Sequence, residues 1–196
     1  MDHVIRPVRA EEWREAREIR LAALQDPVAP VAFLDTYEAA VARPDEHWRE
    51  RTAAAAVDGG SAVRQFVAEA PDGTWDGTVT VLVERAGEPT RFGSVPEADQ
   101  THVVGVYVRP RGRGAGLADA LLRAAVEWSW SLDGRAGEGG GADVRRVRLY
   151  VHERNGRAEA FYRKAGFVPT GESLPVEGDA SGADELEFEI RRPVTG

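Results

Sequence analysis

The feature that most constrains the fold is a strand that leads into a Gly/Arg-rich loop, which then opens a long amphipathic helix. The strand is predicted over Thr101–Val108, because four of its eight residues are valine. The loop covers Pro110–Gly116. From Gly116 to Leu132, apolar residues recur three or four positions apart, which predicts a helix with one buried face. Strands that alternate with such helices indicate an α/β domain.

The Gly/Arg loop has the properties of a pyrophosphate-binding site. The first amides of a helix lack intrahelical acceptors, and the positive end of the helix dipole favours anions. Glycines at positions 112, 114 and 116 allow phosphate oxygens to approach the backbone closely. Arg111 and Arg113 add positive charge. The loop therefore predicts a site for a phosphorylated ligand.

Three phosphate-binding patterns can be compared with this loop. A P-loop requires Lys and then Ser or Thr after its last glycine, whereas Leu117 follows Gly116. A dinucleotide fingerprint requires a third glycine where this chain has Leu117, and it follows the first strand of a βαβ unit. The pattern R-x-x-G-x-G/A is met in full by Arg111, Gly114 and Gly116. A Gly-rich turn with solvated arginines is the alternative interpretation of these residues alone.

A second segment strengthens the third pattern. The strand ending near Val151 is followed by Asn, a short helix, an aromatic–Tyr pair and Gly-Phe. Together with the preceding Val108-Arg109-Pro110, the two segments resemble the signatures of the GNAT superfamily of acetyl-CoA-dependent N-acetyltransferases. The anchors of the second signature are Asn155, Ala158, Phe161, Tyr162, Gly166 and Phe167.

The resemblance implies a GNAT fold. Such a fold has a mixed, mostly antiparallel twisted sheet of about seven strands, with about four to five flanking helices and a splayed central strand pair. Residues 1–196 are expected to form one domain, because no repeat or linker divides them. Strands are predicted over 4–9, 64–69, 75–84, 101–108, 144–151, from 167 and over 185–191, and helices over 11–24, 36–41, 44–56, 116–132 and 156–165. A mobile loop is predicted over 135–142 and an irregular loop over 173–184.

The resemblance also assigns the cofactor site. Acetyl-CoA is the expected acyl donor, and no metal is expected. Its pantetheine arm would bond to the exposed backbone of the central strand, its pyrophosphate to the loop amides, and Asn155 would bond the pantetheine or orient the helix that follows. The cofactor-binding residues are expected to be Val106, Tyr107, Val108, Arg111, Gly112, Arg113, Gly114, Ala115, Gly116, Asn155 and Ala158.

The implied reaction is direct acyl transfer from acetyl-CoA to a primary amine. Tyr162 matches the position of the family's general acid, and a tyrosine is normally protonated at neutral pH. The amide of Val106 is the expected donor to the developing oxyanion. The central strand has no Glu for a general base, so His102, Glu84, Asp99 and a water chain are candidates, and His102 is the one we assign.

The acceptor is expected to be a small-molecule or peptide amine. From Glu172 to Ile190 the chain has seven acidic residues and no basic one. An acidic rim would attract a cationic amine, although a solvated acidic strand edge is the alternative interpretation. Phe33 and Tyr37 are expected either to form an aromatic wall of the acceptor site or to pack in the core.

Composition excludes several other classes. The chain has no cysteine, so disulfides, thiolate catalysis and cysteine-bound zinc are excluded, which fits a cytoplasmic protein. The net charge of −8 argues against nucleic acid as a partner. No apolar run is long enough to span a membrane. A non-catalytic acyl-CoA-binding regulatory module remains the alternative function, and both monomer and homodimer are open.

Overall fold

The computed structural model describes residues 3–132, 143–176 and 182–193, and these build a seven-stranded sheet. The strand order is β1-β2-β3-β4-β5-β7-β6. Every neighbouring pair is antiparallel except β4 and β5, which are parallel. The predicted mixed, mostly antiparallel GNAT-type sheet is therefore confirmed. The strands are β1 Val4–Pro7, β2 Val63–Glu69, β3 Trp75–Glu84, β4 Gln100–Val108, β5 Arg146–His152, β6 Val168–Pro175 and β7 Asp184–Arg191.

Five α-helices among the described residues cover the two faces of the sheet. Helices α1 and α3 pack on one face, where Ile19 and Ala56 contact Val67 of β2. Helix α4 packs on the opposite face, where Leu121 contacts Val79 and Val81 of β3 in the largest core cluster. The bounds are α1 Trp13–Leu24, α2 Tyr37–Val41, α3 Asp45–Ala55, α4 Leu117–Ser131 and α5 Gly156–Lys164.

Helices α1 and α4 form because their apolar residues follow the helical period. The predicted face of α1 is the buried one, comprising Trp13, Ala16, Ile19, Ala23 and Leu24. In α4 the buried residues are Leu117, Leu121, Leu122, Ala125 and Ser129. Each fully buried Leu stabilises the fold by about 1.5–3 kcal/mol relative to its exposed state. Helix α4 is therefore held firmly against the sheet, and the Gly/Arg loop is fixed at its N-terminus.

Strands β4 and β5 are paired over only part of their length. The parallel register joins Gln100–His102 to 146–148 and goes no further. Beyond His102, β4 keeps its pairing with β3, but the register shifts opposite Thr78–Thr80, so that Gly105 and Val106 form a bulge. Gly105 has φ +64, which a residue with a side chain rarely adopts. The predicted splayed central pair is thus confirmed, and the bulge lies at its opening.

The C-terminal part of the sheet differs from the prediction. Residues 173–184 were expected to be an irregular loop, yet β6 continues to Pro175, and Ser173 and Leu174 pair with Leu186 and Glu185. The expectation was wrong because alternation in β6 is interrupted by a register shift after Pro169, which hides the strand in the sequence. The predicted mobile loop 135–142 lies outside the described residues.

No helix among the residues that the structure describes is long and apolar enough to cross a membrane.

Candidate active site

A long groove of about 1550 Å³ crosses the molecule where β4 and β5 separate. Its walls include 102–108 of β4, the loop that precedes α4, and the groove-facing side of α5. Helices α1 and α3 and the segment between α1 and α2 form the other part of the wall. Most of the residues that the sequence singled out therefore lie in one groove: His102, Val106, Tyr107, Val108, Gly112, Arg113, Gly114, Gly116, Asn155, Ala158 and Tyr162.

The Gly/Arg loop presents unused backbone donors to this groove. No hydrogen bond joins the amides of residues 114–119 to another described residue. Gly114 and Gly116 have φ +81 and +78, and a Cβ at either would meet nothing within 4 Å. Gly112 is different, because a Cβ there would lie 2.9 Å from Leu117 Cδ1. The loop is therefore open toward the ligand at Gly114 and Gly116 and tightly packed at Gly112.

The two loop arginines are already engaged by acids. Arg111 Nε donates to Asp76 Oδ1 over 2.5 Å, and its Nη2 donates to Thr74. Arg113 Nη2 pairs with Asp26, and its Nε donates to Val108 O over 3.1 Å. Both side chains were expected to add positive charge for the phosphates. In the structure they form ion pairs with Asp76 and Asp26, and these ion pairs fix the loop. Arg111 and the exposed Ala115 are also not part of the groove wall.

Helix α5 is positioned by Asn155. The Asn155 side chain accepts a hydrogen bond from the Ala158 amide over 3.1 Å, as an N-cap does. Its Nδ2 donates to Val31 O over 3.2 Å, which ties the start of α5 to the segment after α1. The structure thus favours the helix-orienting role of Asn155 over direct contact with pantetheine.

Tyr162 lies on the face of α5 that meets the core and the groove. It is 8% exposed, and its ring packs against Phe161 and Phe167. Burial raises the pKa of Tyr162 above its ordinary value. Desolvation is the one cause of this shift, with no hydrogen bond from a described residue contributing to it. Tyr162 is therefore a protonated donor beside the groove. Both Tyr162 and Phe161 line the groove, and Tyr162 is also a buried member of the core cluster against which Phe161 packs.

His102 stands at the last paired position of β4 before the splay. Its Nδ1 lies 3.2 Å from Glu84 Oε1, and its ring contacts those of Phe92 and Tyr150. Desolvation lowers the pKa of His102, which is 2% exposed, so the imidazole is neutral near pH 7.

Glu84 also accepts a hydrogen bond from Gln100 and pairs with Arg148. Despite the burial of its carboxylate, which raises the pKa, His102 and Arg148 lower the Glu84 pKa to about 2, so Glu84 is a poor proton acceptor.

Asp99 is removed from the groove. It accepts hydrogen bonds from the amides of Ala86 and Asp143 and pairs with Arg85. Its carboxylate therefore holds loop segments together at the far end of β4. Of the candidates for a general base, only His102 lines the groove.

The acidic segment near the C-terminus contributes one carboxylate to the groove among its described residues, that of Glu185. Burial raises the pKa of Glu185 above its ordinary value. Glu187 and Glu189 are buried and paired with arginines of β5 and β7. Two of the five described acids of the predicted rim are thus held in ion pairs within the sheet, and Glu177 and Asp179 lie outside the described residues. Glu185 was expected only as one of the seven acids of this rim, because nothing in the sequence distinguishes it from the other six.

The residues around the groove fit acetyl-CoA. The six free amides at 114–119 suit a pyrophosphate, and the unpaired part of β4 offers backbone groups to an extended pantetheine arm. Arg157 and Lys164 of α5 line the same groove and have no ion pair with a described residue. Their positive charges suit further phosphate oxygens. No group of His, Asp and Glu among the described residues could hold a metal ion.

A comparison with protein families assigns the central part of the chain. Residues 75–169 match the model of the acetyltransferase (GNAT) domain. This segment runs from β3 into β6 and contains the Gly/Arg loop, the splayed strands and α5. No curated protein matches the sequence.

Solved structures share the fold over nearly the whole chain. A GNAT-family acetyltransferase from Streptococcus pneumoniae superimposes with a TM-score of 0.72 at 18% identity, covering 98% of this chain and 100% of that chain. A phosphinothricin acetyltransferase from Sinorhizobium meliloti with bound acetyl-CoA gives 0.68 at 19%, covering 97% and 89%. Arabidopsis thaliana NAA60 with acetyl-CoA gives 0.66 at 19%, covering 97% and 98%. At these identities the likeness shows a common fold.

Proposed function

Because the chain carries an acetyltransferase (GNAT) domain over residues 75–169 and has the fold of solved GNAT enzymes, we propose that it transfers the acetyl group of acetyl-CoA to a primary amine by direct attack. The observation that carries the proposal is that one groove holds the free loop amides, the splayed strands and Tyr162. Acetyl-CoA supplies the activated thioester, and the chain's own residues bind, orient and move protons.

The backbone holds the cofactor in this proposal. The amides of residues 114–119 bind the pyrophosphate, assisted by Arg157 and Lys164, and the free edge of β4 at Val106 and Val108 bonds the pantetheine arm. Because Gly105 and Val106 form the bulge, the Val106 amide stands outside the regular ladder and can donate to the acetyl carbonyl oxygen as negative charge develops.

Tyr162 is the proposed general acid. Its raised pKa keeps the phenol protonated throughout the neutral range. A protonated donor is needed when the thiolate of coenzyme A leaves, because the thiol has an ordinary pKa of about 8.5. The phenol hydroxyl beside the groove can supply that proton.

His102 is the proposed general base, with Glu84 as its positioning partner. The imidazole is neutral because desolvation lowers its pKa, so it can accept a proton from the incoming ammonium. Glu84 orients the ring through Nδ1. Glu185 is the second candidate, favoured by its position in the groove and its raised pKa.

The proposal is tested by acetyl-CoA binding and by release of thiol in the presence of an amine panel. Tyr162→Phe should bind acetyl-CoA with unchanged affinity and lose at least about tenfold in kcat. Tyr37→Phe is the matched control, because Tyr37 packs in the cluster around Trp48 and does not line the groove. A Tyr162→Phe variant with full kcat would remove Tyr162 from the mechanism.

The alternative function is a non-catalytic acyl-CoA-binding module. It is favoured by the structure of β3 and β4, where Glu84, the acid that contacts His102, is locked in ion pairs and hydrogen bonds. This alternative predicts tight acetyl-CoA binding with no thiol release above the rate without amine, for every amine of the panel.

A further inference from the structure

Four arginines meet at the end of the groove that is bordered by α1, α2 and α3. They come from four separate segments and all line the groove. Arg20 belongs to α1, Arg43 follows α2, Arg51 belongs to α3, and Arg91 lies between β3 and β4. We call this group the arginine cluster.

The cluster carries more positive charge than its neighbours neutralise. Asp35 receives both Nη atoms of Arg43, over 2.8 and 2.9 Å, and lies 3.5 Å from Arg20 Nη2. Neither Arg51 nor Arg91 has an ion pair with a described residue. Four guanidinium charges against the one carboxylate leave a surplus of three among the described groups.

The same end of the groove also holds buried nitrogen atoms without a hydrogen-bond partner among the described residues. They include Nε of Arg20 and Nε2 of His47. Desolvation, followed by repulsion from Arg20, Arg43 and Arg91, lowers the pKa of Arg51 to about 10. With a pKa of about 10, the Arg51 guanidinium stays charged near neutral pH while it lies among three other arginines. A bound oxyanion would relieve this repulsion and accept a hydrogen bond from Arg20 Nε.

The cluster adjoins the place where acetyl transfer is proposed. A small cavity of about 20 Å³ is bounded by Arg20, Arg51 and Gly105 of the β4 bulge. Helices α1 and α3, which bear Arg20 and Arg51, pack on one face of the sheet, whereas α4, which follows the Gly/Arg loop, packs on the other. The arginine cluster is therefore on the acceptor side of the bulge and separate from the amides assigned to the pyrophosphate.

We infer that the arginine cluster binds an anionic group of the acceptor, so that the substrate is an amine that also carries a carboxylate or a phosphoryl group. This inference rests on the proposed transferase function. It replaces the cationic acceptor expected from the acidic C-terminal segment, since Glu187 and Glu189 are paired within the sheet. Arginine is suited to the role because its planar guanidinium binds carboxylate and phosphate oxygens in pairs.

The test uses pairs of amines that differ by the anionic group alone. Tyrosine is compared with tyramine and O-phosphoethanolamine with ethanolamine, and spermidine serves as the cationic reference. The anionic member of at least one pair should be preferred by tenfold or more in kcat/KM. The tyrosine and O-phosphoethanolamine arms separate a carboxylate from a phosphoryl group.

Variants locate the effect. Arg51→Gln should lower kcat/KM at least tenfold for the preferred amine with an anionic group, through KM, and leave kcat/KM for the partner that lacks this group and the KM of acetyl-CoA unchanged. Arg49→Gln is the matched control on the same helix, because Arg49 is exposed, pairs with Glu46 and stacks on Trp13. Arg157→Gln should raise the KM of acetyl-CoA and leave the KM of the amine unchanged.

Several results would overturn the inference. Preference for spermidine or for the amines that lack an anionic group is one, and an Arg51→Gln effect on the KM of acetyl-CoA is another, because the cluster would then bind the cofactor. If no amine is acetylated, the proposed function fails for this panel, and calorimetry of the same amines with the acetyl-CoA-loaded protein decides the inference separately. Binding of the anionic amines that depends on Arg51 supports it, and equal or absent binding refutes it.

Discussion

Replacement of Gly114 by Glu is expected to abolish acetyl-CoA binding while the protein stays folded. Gly114 lies in the loop whose amides, at 114–119, have no acceptor among the described residues, and its Cβ position faces open space in the groove. A glutamate there places a carboxylate where the pyrophosphate is proposed to lie. The side chain therefore excludes the ligand sterically and repels its negative charge.

The magnitude follows from the lost hydrogen bonds. Loss of two bonds from amides to phosphate oxygens, at about 1.5–3 kcal/mol each, weakens binding by about 3–6 kcal/mol. That corresponds to roughly 10²–10⁴-fold in Kd. The cost to the fold is smaller. Gly114 has φ +81, and a left-handed residue other than glycine costs about 1–2 kcal/mol. For a chain of this size the expected decrease in Tm is about 2–8 °C.

The assay is calorimetric titration of acetyl-CoA, with Tm measured on the same samples. Gly87→Glu is the matched control, since Gly87 has φ +75 and equally open space but lies outside the groove. Both variants should lose similar Tm, and only Gly114→Glu should lose acetyl-CoA. Affinity within threefold of the unmodified protein in Gly114→Glu would falsify the assignment of the loop to the pyrophosphate.

Three further predictions concern the groove and its supports. Asn155→Ala removes the N-cap of α5 and the hydrogen bond to Val31. It should lower the free energy of unfolding, measured by urea titration, by about 2 kcal/mol. An unchanged urea midpoint would exclude the capping role. Glu84 has a pKa of about 2 in the folded protein against an ordinary value of 4.5. The stabilisation of the fold by its carboxylate is therefore present above about pH 4.5 and is lost as the pH falls toward 2. Glu84→Gln should flatten this part of a plot of unfolding free energy against pH, and an unchanged slope would contradict the prediction. If His102 is the general base, His102→Gln should lower kcat and remove the acidic limb of the kcat–pH profile. Glu185→Gln should then keep that limb. The reverse result would assign the role of base to Glu185.

Much of the fold was predictable because local interactions determine it. The face of α1 and the course of α4 follow from apolar residues at helical spacing, and these residues are the ones that the structure buries. Asn155 was predictable as an N-cap, since a short polar side chain before a helix satisfies a free amide. The last part of strand β6, residues 173–175, was missed, because the register shift interrupts the alternation by which a strand is detected.

The site was predictable to a lesser degree. The loop amides follow from the strand–loop–helix order, whereas the use of the arginine side chains does not. Arg111 and Arg113 were expected to face phosphates, and the structure pairs them with Asp76 and Asp26, which are distant in the sequence. Long, flexible charged side chains bind whichever opposite charge the fold brings near, and this is invisible before the fold is known.

The sequence by itself determined the elements of this protein and the loop that opens α4, because the period of apolar residues, the glycines and the cap act over a few residues. Only the tertiary structure decided which charges remain available. It paired Glu187 and Glu189 of β7 with arginines of β5, and it brought Arg20, Arg43, Arg51 and Arg91 together at one end of the groove. The physical reason is that electrostatic free energy depends on distances in space and on burial, and four residues from four separate segments acquire both only when the sheet and its helices assemble.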